Sequence, residues 1–187
     1  MKVWFCLFAL CLSACATPLP PSPLPSLRVL PADYARPLQL AQALTVEEAP
    51  ADSSLPGVER RLDLLLQVDA HTLRLAALAL NQRVLSVVWD GAQLQVQRHA
   101  LLPAVVDPER VLRDIALVYA PLAALRASLP PGWHLDEQHD EQGQQRRLSH
   151  QGQLRVQVQG LGTSTVRIDN LAEHYRLRIE SRPMEDG

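Results

Sequence analysis

From Arg60 the chain alternates. Leu62, Leu64, Leu66 and Val68 take every second position, with Arg61, Asp63, Leu65 and Gln67 between them. That is the period of a strand with one buried face. Asp69-Ala70-His71 reads as a turn, and Leu73, Leu75, Ala77 and Ala79 carry the next strand. Asn81-Gln82 turns again, Val84 to Trp89 is a third strand, Asp90-Gly91 a hairpin signal, and Leu94 and Val96 a fourth. Upstream, Leu38, Leu40, Gln42, Leu44 and Val46 alternate in the same way and predict a first strand, with a helix as the alternative; 47–57 reads as a loop. Leu65, Ala76, Leu78, Leu80 and Val88 break the strict alternation, so both faces of the sheet are expected to be partly covered.

The period then changes. Asp107-Pro108-Glu109 is a helix start, with Asp as N-cap and Pro at the first helical position. Val111, Leu112, Ile115, Val118, Tyr119 and Leu122 follow at helical spacing. Pro121 should kink or split this helix, and Leu122, Leu125 and Leu129 continue it to Pro130-Pro131-Gly132. Strands return at 133–138, 146–150, Leu154 to Val158, Val166/Ile168 and Tyr175 to Ile179. Strands, a broken helix, then strands predict a mainly β (α+β) fold. A single curved antiparallel sheet with a helical insertion fits better than a parallel α/β fold, because crossover helices between consecutive strands are missing.

The first residues have a different logic. Lys2 precedes an apolar run from Val3 to Leu12 that is too short to span a bilayer, the layout of a secretory signal. Leu12-Ser13-Ala14-Cys15 resembles the bacterial lipobox. The resemblance implies cleavage before Cys15 and its acylation, with stable anchoring from several acyl chains. With Ala16 rather than Asp after the Cys, it also implies sorting to the outer membrane, with the domain facing the periplasm. Pro18, Pro20, Pro21, Pro23, Pro25 and Pro31 mark an extended tether. The expected organisation is a signal peptide over 1–14, lipidated Cys15 and tether over 15–36, and one β domain over 37–187 with a helical lid around 107–129.

Composition narrows the chemistry. Loss of the first 14 of 187 residues leaves 173 and removes Cys6, Cys11 and Lys2, the lone lysine. No thiol pair remains for a disulfide, so the core must supply the stability. The remaining positive charges are arginines scattered along the chain, which argues against nucleic acid as a partner. His134, Asp136, His139, Asp140 and His150 are rich in ligand atoms, yet their spacing matches no zinc motif and predicts a solvated hairpin, so no metal is assigned. Ser86, Ser149 and Ser164 have candidate partners in His99, His150 and His174, but none lies in a Gly-x-Ser-x-Gly elbow. No cofactor and no enzymatic activity are expected.

Three stretches resemble an uncharacterised family of bacterial lipoproteins. They are Asp114-Ile115-Ala116-Leu117-Val118-Tyr119-Ala120-Pro121 (members often carry an aromatic where this chain has Ala120), Trp89-Asp90-Gly91, and Ile168-Asp169-Asn170 leading to Tyr175-Arg176-Leu177-Arg178-Ile179. The match runs over most of Leu38 to Ser181. That family is similar in architecture to LolB, the outer-membrane receptor that takes lipoproteins from the carrier LolA. The resemblance implies an unclosed half-barrel covered by helices, with an apolar interior for acylated cargo, either a lipoprotein or a glycolipid. Some relatives are encoded beside genes for aryl-polyene lipids.

The expected cavity is lined by Leu64, Leu66, Leu73, Leu75, Val87, Trp89, Leu94, Val96, Val156 and Ile168, with Ile115, Val118 and Leu122 covering it. Periodicity alone cannot distinguish this cavity from a filled core, and a filled core would make the chain a non-catalytic interaction or assembly accessory of the outer membrane. A third reading is a weak enzyme using the His134 to His150 region. The 107–129 helix is either a lid hinged at Pro121 or a helix fixed on the sheet.

Overall fold

A computed structural model describes residues 22–48, 58–100, 102, 106–140 and 143–184. The signal peptide, lipobox, Cys15 and residues 16–21 lie outside this range, as do 49–57 of the first loop.

The strands are β1 (Leu38–Glu48), β2 (Val58–Val68), β3 (Leu73–Ala79), β4 (Gln82–Trp89), β5 (Leu94–Arg98), β6 (Trp133–Asp140), β7 (Gly143–His150), β8 (Gln153–Leu161), β9 (Thr165–Asn170) and β10 (Tyr175–Pro183). They form one antiparallel sheet in the order β5-β4-β3-β2-β1-β10-β9-β8-β7-β6. The edges β5 and β6 do not pair with each other, so the sheet is open. The chain starts in the centre, meanders out to β5, crosses to the opposite edge, and meanders back until β10 pairs with β1. That crossing must span the inner face, and it carries the helices α1 (Pro108–Tyr119) and α2 (Leu122–Ser128).

Local chemistry sets these elements. The Asp107 side chain accepts the Glu109 N–H at 3.0 Å, and Pro108 opens α1. Pro121 sits between the helices, as expected of a residue that cannot continue the backbone ladder. At the β4–β5 turn, Asp90 Oδ1 accepts the N–H groups of Ala92 and Gln93 at 2.8 and 2.7 Å, and Gly91 adopts φ +90°. The register places Leu44 between Leu62 and Ile179, and Gln42 between Leu64 and Ser181. A register shift in β3–β4 after Ala77 lets the consecutive residues Val84 and Leu85 both be buried.

One expectation is corrected. The sequence predicts a tether through residue 36, but from Ser22 the chain packs onto the domain. Leu24, Leu27 and Val29 are buried, and the Val29 carbonyl accepts the Trp89 indole N–H at 2.9 Å. Arg28 pairs with Glu109 and lies over the Trp89 ring. This Pro-rich stretch binds as an extended strap, because Leu24, Leu27 and Val29 find a hydrophobic surface, while Leu30 stays exposed. The strap covers α1, so α1 is buried from Leu112 to Val118, including Arg113 and Asp114. The outer face is partly covered, as expected: Ala76, Leu78 and Val88 are half-buried and Leu65 is 41 % exposed, while Leu80, 99 % exposed, lies in the β3–β4 turn.

Candidate functional site

The inward residues fall into two clusters. One joins β6–β10 to the strap, to Ala116, Leu117 and Val118 of α1, and to Leu125 of α2. The other joins β1–β4 to Leu112 and Ile115 of α1 and to Leu102. Between α1 and the sheet, on the β1–β4 side and reaching β10, lies a cavity of about 280 Å³. Leu44, Val46, Leu62, Leu64, Leu75, Ala77, Leu85, Val111, Ile115, Leu177 and Ile179 make its walls aliphatic. Its deep polar point is Gln42, whose Nε2 donates to Tyr119 Oη at 2.6 Å and Ser181 Oγ at 2.9 Å.

Of the expected cavity residues, the structure brings Leu64, Leu75 and Ile115 to the cavity wall. Leu66, Leu73, Val87 and Trp89 are packed core in the β1–β4 cluster, and Leu94 packs against it. Val118, Val156 and Ile168 belong to the filled β6–β10 cluster, against which Leu122 packs. Val96 is 40 % exposed on the edge strand β5. The cavity is therefore displaced toward β1 and β10. Leu44, Val46, Leu62, Leu177 and Ile179 were legible as inward positions, but their meeting depends on the β1–β10 pairing of residues more than 100 positions apart.

Tyr175, at the start of β10, pairs with Glu48, at the end of β1, so one end of the cavity lies by the β9–β10 turn. Here a buried polar network closes the wall. Arg113, 2 % exposed, donates from Nη2 to Glu173 Oε2 at 2.5 Å and Tyr175 Oη at 3.1 Å, and from Nη1 to Ser22 Oγ at 3.1 Å. Ser22 in turn donates to Glu173 Oε1 at 2.6 Å, and Tyr175 donates to Asp114 Oδ2 at 2.6 Å. Arg110 Nε lies 3.0 Å from Glu173 Oε1. Asn170 fixes Glu173 by accepting its N–H and donating to its carboxylate, each at 2.9 Å. Burial pushes the Asp114 carboxyl above the usual range, against the pull of Arg113 and Tyr175. Burial acts on Glu173 in the same sense, but Ser22, Arg113 and Arg110 outweigh it and hold that carboxyl below its usual range. Nothing in the sequence marked this network, because its members come from the strap, α1 and the β9–β10 turn.

The ligand-rich hairpin does not converge. His134 and His139 are exposed and an odd number of residues apart on β6, hence on opposite faces. His150 stacks on Trp133 with ring centroids 4.5 Å apart. Ser164, in the β8–β9 turn, and His174, in the β9–β10 turn, lie at opposite ends of β9.

At the β3–β4 turn, Leu80 (φ +50°) and Asn81 (φ +61°) take left-handed backbone. This turn and the β9–β10 turn lie at the same end of the antiparallel sheet, and Ser22, where the described strap begins, joins Glu173 there.

An open antiparallel sheet with helices lying over its inner face and an aliphatic cavity beneath them defines the class. The chain belongs to the family described as protein of unknown function DUF3261, whose model matches residues 39–183. Its structure is similar to that of a LolA superfamily protein of Nitrosomonas europaea, with 9 % identity and a TM-score of 0.37, over 86 % of this chain and 92 % of that one. It is also similar to the crystal structure of a putative outer membrane lipoprotein-sorting protein domain from Vibrio parahaemolyticus, with 8 % identity and a TM-score of 0.32, over 76 % of this chain and 82 % of that one. No curated protein matches the sequence.

Proposed function

We propose that this protein is a lipid-handling lipoprotein of the bacterial envelope. It is anchored to the outer membrane through acylated Cys15, faces the periplasm, and holds an acyl chain of its cargo in the cavity beneath α1. The observation that carries this reading is a 280 Å³ space with aliphatic walls between α1 and the sheet. An acyl chain gains about 0.8 kcal/mol per methylene on leaving water, so no catalytic group is needed. Release to the bilayer would occur at the sheet end that carries Leu80. Seven residue steps from Cys15 to Ser22 reach at most about 25 Å, which keeps that end near the membrane.

The test is native mass spectrometry with lipid extraction. The chain purified from its own envelope should carry a defined acyl species, and Leu64→Glu or Leu177→Glu should remove it while the fold, followed by circular dichroism, persists. Leu66 and Val87, both fully buried in packed core, are unsuitable for this test because a charge there would unfold the chain. A clean apo mass after incubation with envelope lipids would refute the proposal and leave an interaction module with protein partners.

A further inference from the structure

Along β1 the inward positions run Leu38, Leu40, Gln42, Leu44 and Val46, so one polar side chain interrupts an apolar row. The register seats Gln42 between Leu64 on β2 and Ser181 on β10. It is 6 % exposed and lines the cavity. Two aliphatic pairs, Leu44 with Ile179 and Val46 with Leu177, separate it from the pair of Glu48 with Tyr175. Six residue steps along β1 make that separation about 20 Å. Gln42 is therefore a polar centre of its own, apart from the network by the β9–β10 turn.

Its hydrogen bonds are incomplete. Gln42 Nε2 lies 2.6 Å from Tyr119 Oη and 2.9 Å from Ser181 Oγ, and the two hydroxyls lie 3.0 Å apart. Three contacts need three hydrogens. The amide NH₂ supplies two and one hydroxyl supplies the third. With the amide turned over, only the two hydroxyl hydrogens would serve all three contacts, so Oε1 is the atom left over. Burial pushes the Tyr119 phenol above its ordinary value, which keeps its hydrogen in place. Among the described residues, the ring thus leaves one acceptor, Gln42 Oε1, and one hydroxyl hydrogen unspent. Asp114 Oδ1 also accepts no hydrogen bond, but that atom is sealed in, 3.5 Å from Arg113 Nε.

Resting on the acyl-binding reading, we propose that Gln42 recognises a hydroxyl carried on the buried part of the cargo's aliphatic chain. A hydroxyl donates to Oε1 and accepts the unspent hydrogen, so one group answers both. A bare alkyl chain reaching this point would strand the acceptor away from water. A charged group would lose its hydration among the aliphatic walls.

Calorimetric titration of the chain from residue 15 on, with Cys15→Ala so that no acyl group of its own competes, is the test. The probes are 1-acylglycerols with chains of 8, 10 and 12 carbons, each paired with the same compound bearing a hydroxyl on its terminal carbon, all used below their aggregation limits. In a purely apolar cavity the hydroxyl weakens binding, because it gives up its water for nothing. At the length that brings it to Gln42, the hydroxylated chain should instead bind about tenfold more tightly than its plain partner. Gln42→Leu should reverse that order: Tyr119 and Ser181 keep their mutual bond, plain chains still bind, and the hydroxylated chain becomes the weaker ligand. Gln42→Met takes its place if the leucine variant melts early. Plain chains that bind while the hydroxyl gives no gain at any length would overturn the hydroxyl site and leave the acyl-binding reading standing. A hydroxyl preference that survives loss of the Gln42 amide would overturn the assignment to this residue. If neither set of probes binds, the acyl-binding reading falls and the hydroxyl site with it.

Discussion

The two halves of the sheet carry inward residues of the same kind, yet the cavity lies mainly against one of them. On β6–β10 the face receives Leu24, Leu27 and Val29 from the strap, Leu117 from α1 and Leu125 from α2. On β1–β4 it receives Leu112 and Ile115, and a cavity remains between them and the strands. Strand pattern is equal in both, so vacancy here is decided by what is laid over the sheet. The strap covers α1 and fills the far half, leaving the near half open beneath the same helix.

Truncation should separate the halves most sharply. Leu27→Ala or Leu125→Ala, at 1 % and 0 % exposure, should each cost about 2–5 kcal/mol, because a new cavity opens in close-packed surroundings. Leu62→Ala, on the cavity wall, should cost less than half as much, since a void already adjoins it. Equal losses in denaturant unfolding would mean that the near half closes up in solution.

Enlargement gives the converse, with a smaller effect. Ala116→Leu in the filled half should cost about 1–3 kcal/mol by overpacking. Ala77→Leu, which points into the cavity, should be neutral or stabilising by about 0.5–2 kcal/mol. Paired melting curves check the difference.

The open half also carries the β3–β4 hairpin. Leu80→Asn should raise stability by about 1 kcal/mol, since a left-handed backbone suits Asn better than Leu. The same variant should bind phospholipid vesicles more weakly in a flotation assay if this tip touches the bilayer.

The smallest effect lies at the seam between the halves. The folded-state pKa of Asp114 is raised by burial, so the folded chain binds this proton more tightly than the unfolded one. Its contribution favours folding at acid pH and is lost as pH rises from the usual carboxylate range through the raised value. The melting temperature of Asp114→Asn relative to the natural chain should therefore climb between pH 4 and pH 7. A flat difference would refute the assigned direction.

Most of the secondary structure was legible because each element depends on local rules. Alternation marked β1 to β5, Asp107-Pro108 marked the start of α1, and Pro121 its division from α2. The strap was misread because Pro18 to Pro31 has the composition of a tether, and composition does not register that Leu24, Leu27 and Val29 could dock. Only Leu64, Leu75 and Ile115 of the expected cavity residues proved to line it. Leu66 and Val87 have the same period and the same character, but in the fold they meet packed neighbours.

The sequence by itself determined which residues face inward, where strands give way to helix, and that the interior is aliphatic. These follow from φ/ψ preferences and from the separation of apolar and polar positions along a few turns of chain. The tertiary structure decided that β1 pairs with β10, that the strap covers α1, that Arg113, Asp114, Glu173 and Tyr175 share one buried network, and that a cavity remains. Those outcomes depend on how volumes from distant segments add up at one place, and no local pattern encodes the sum.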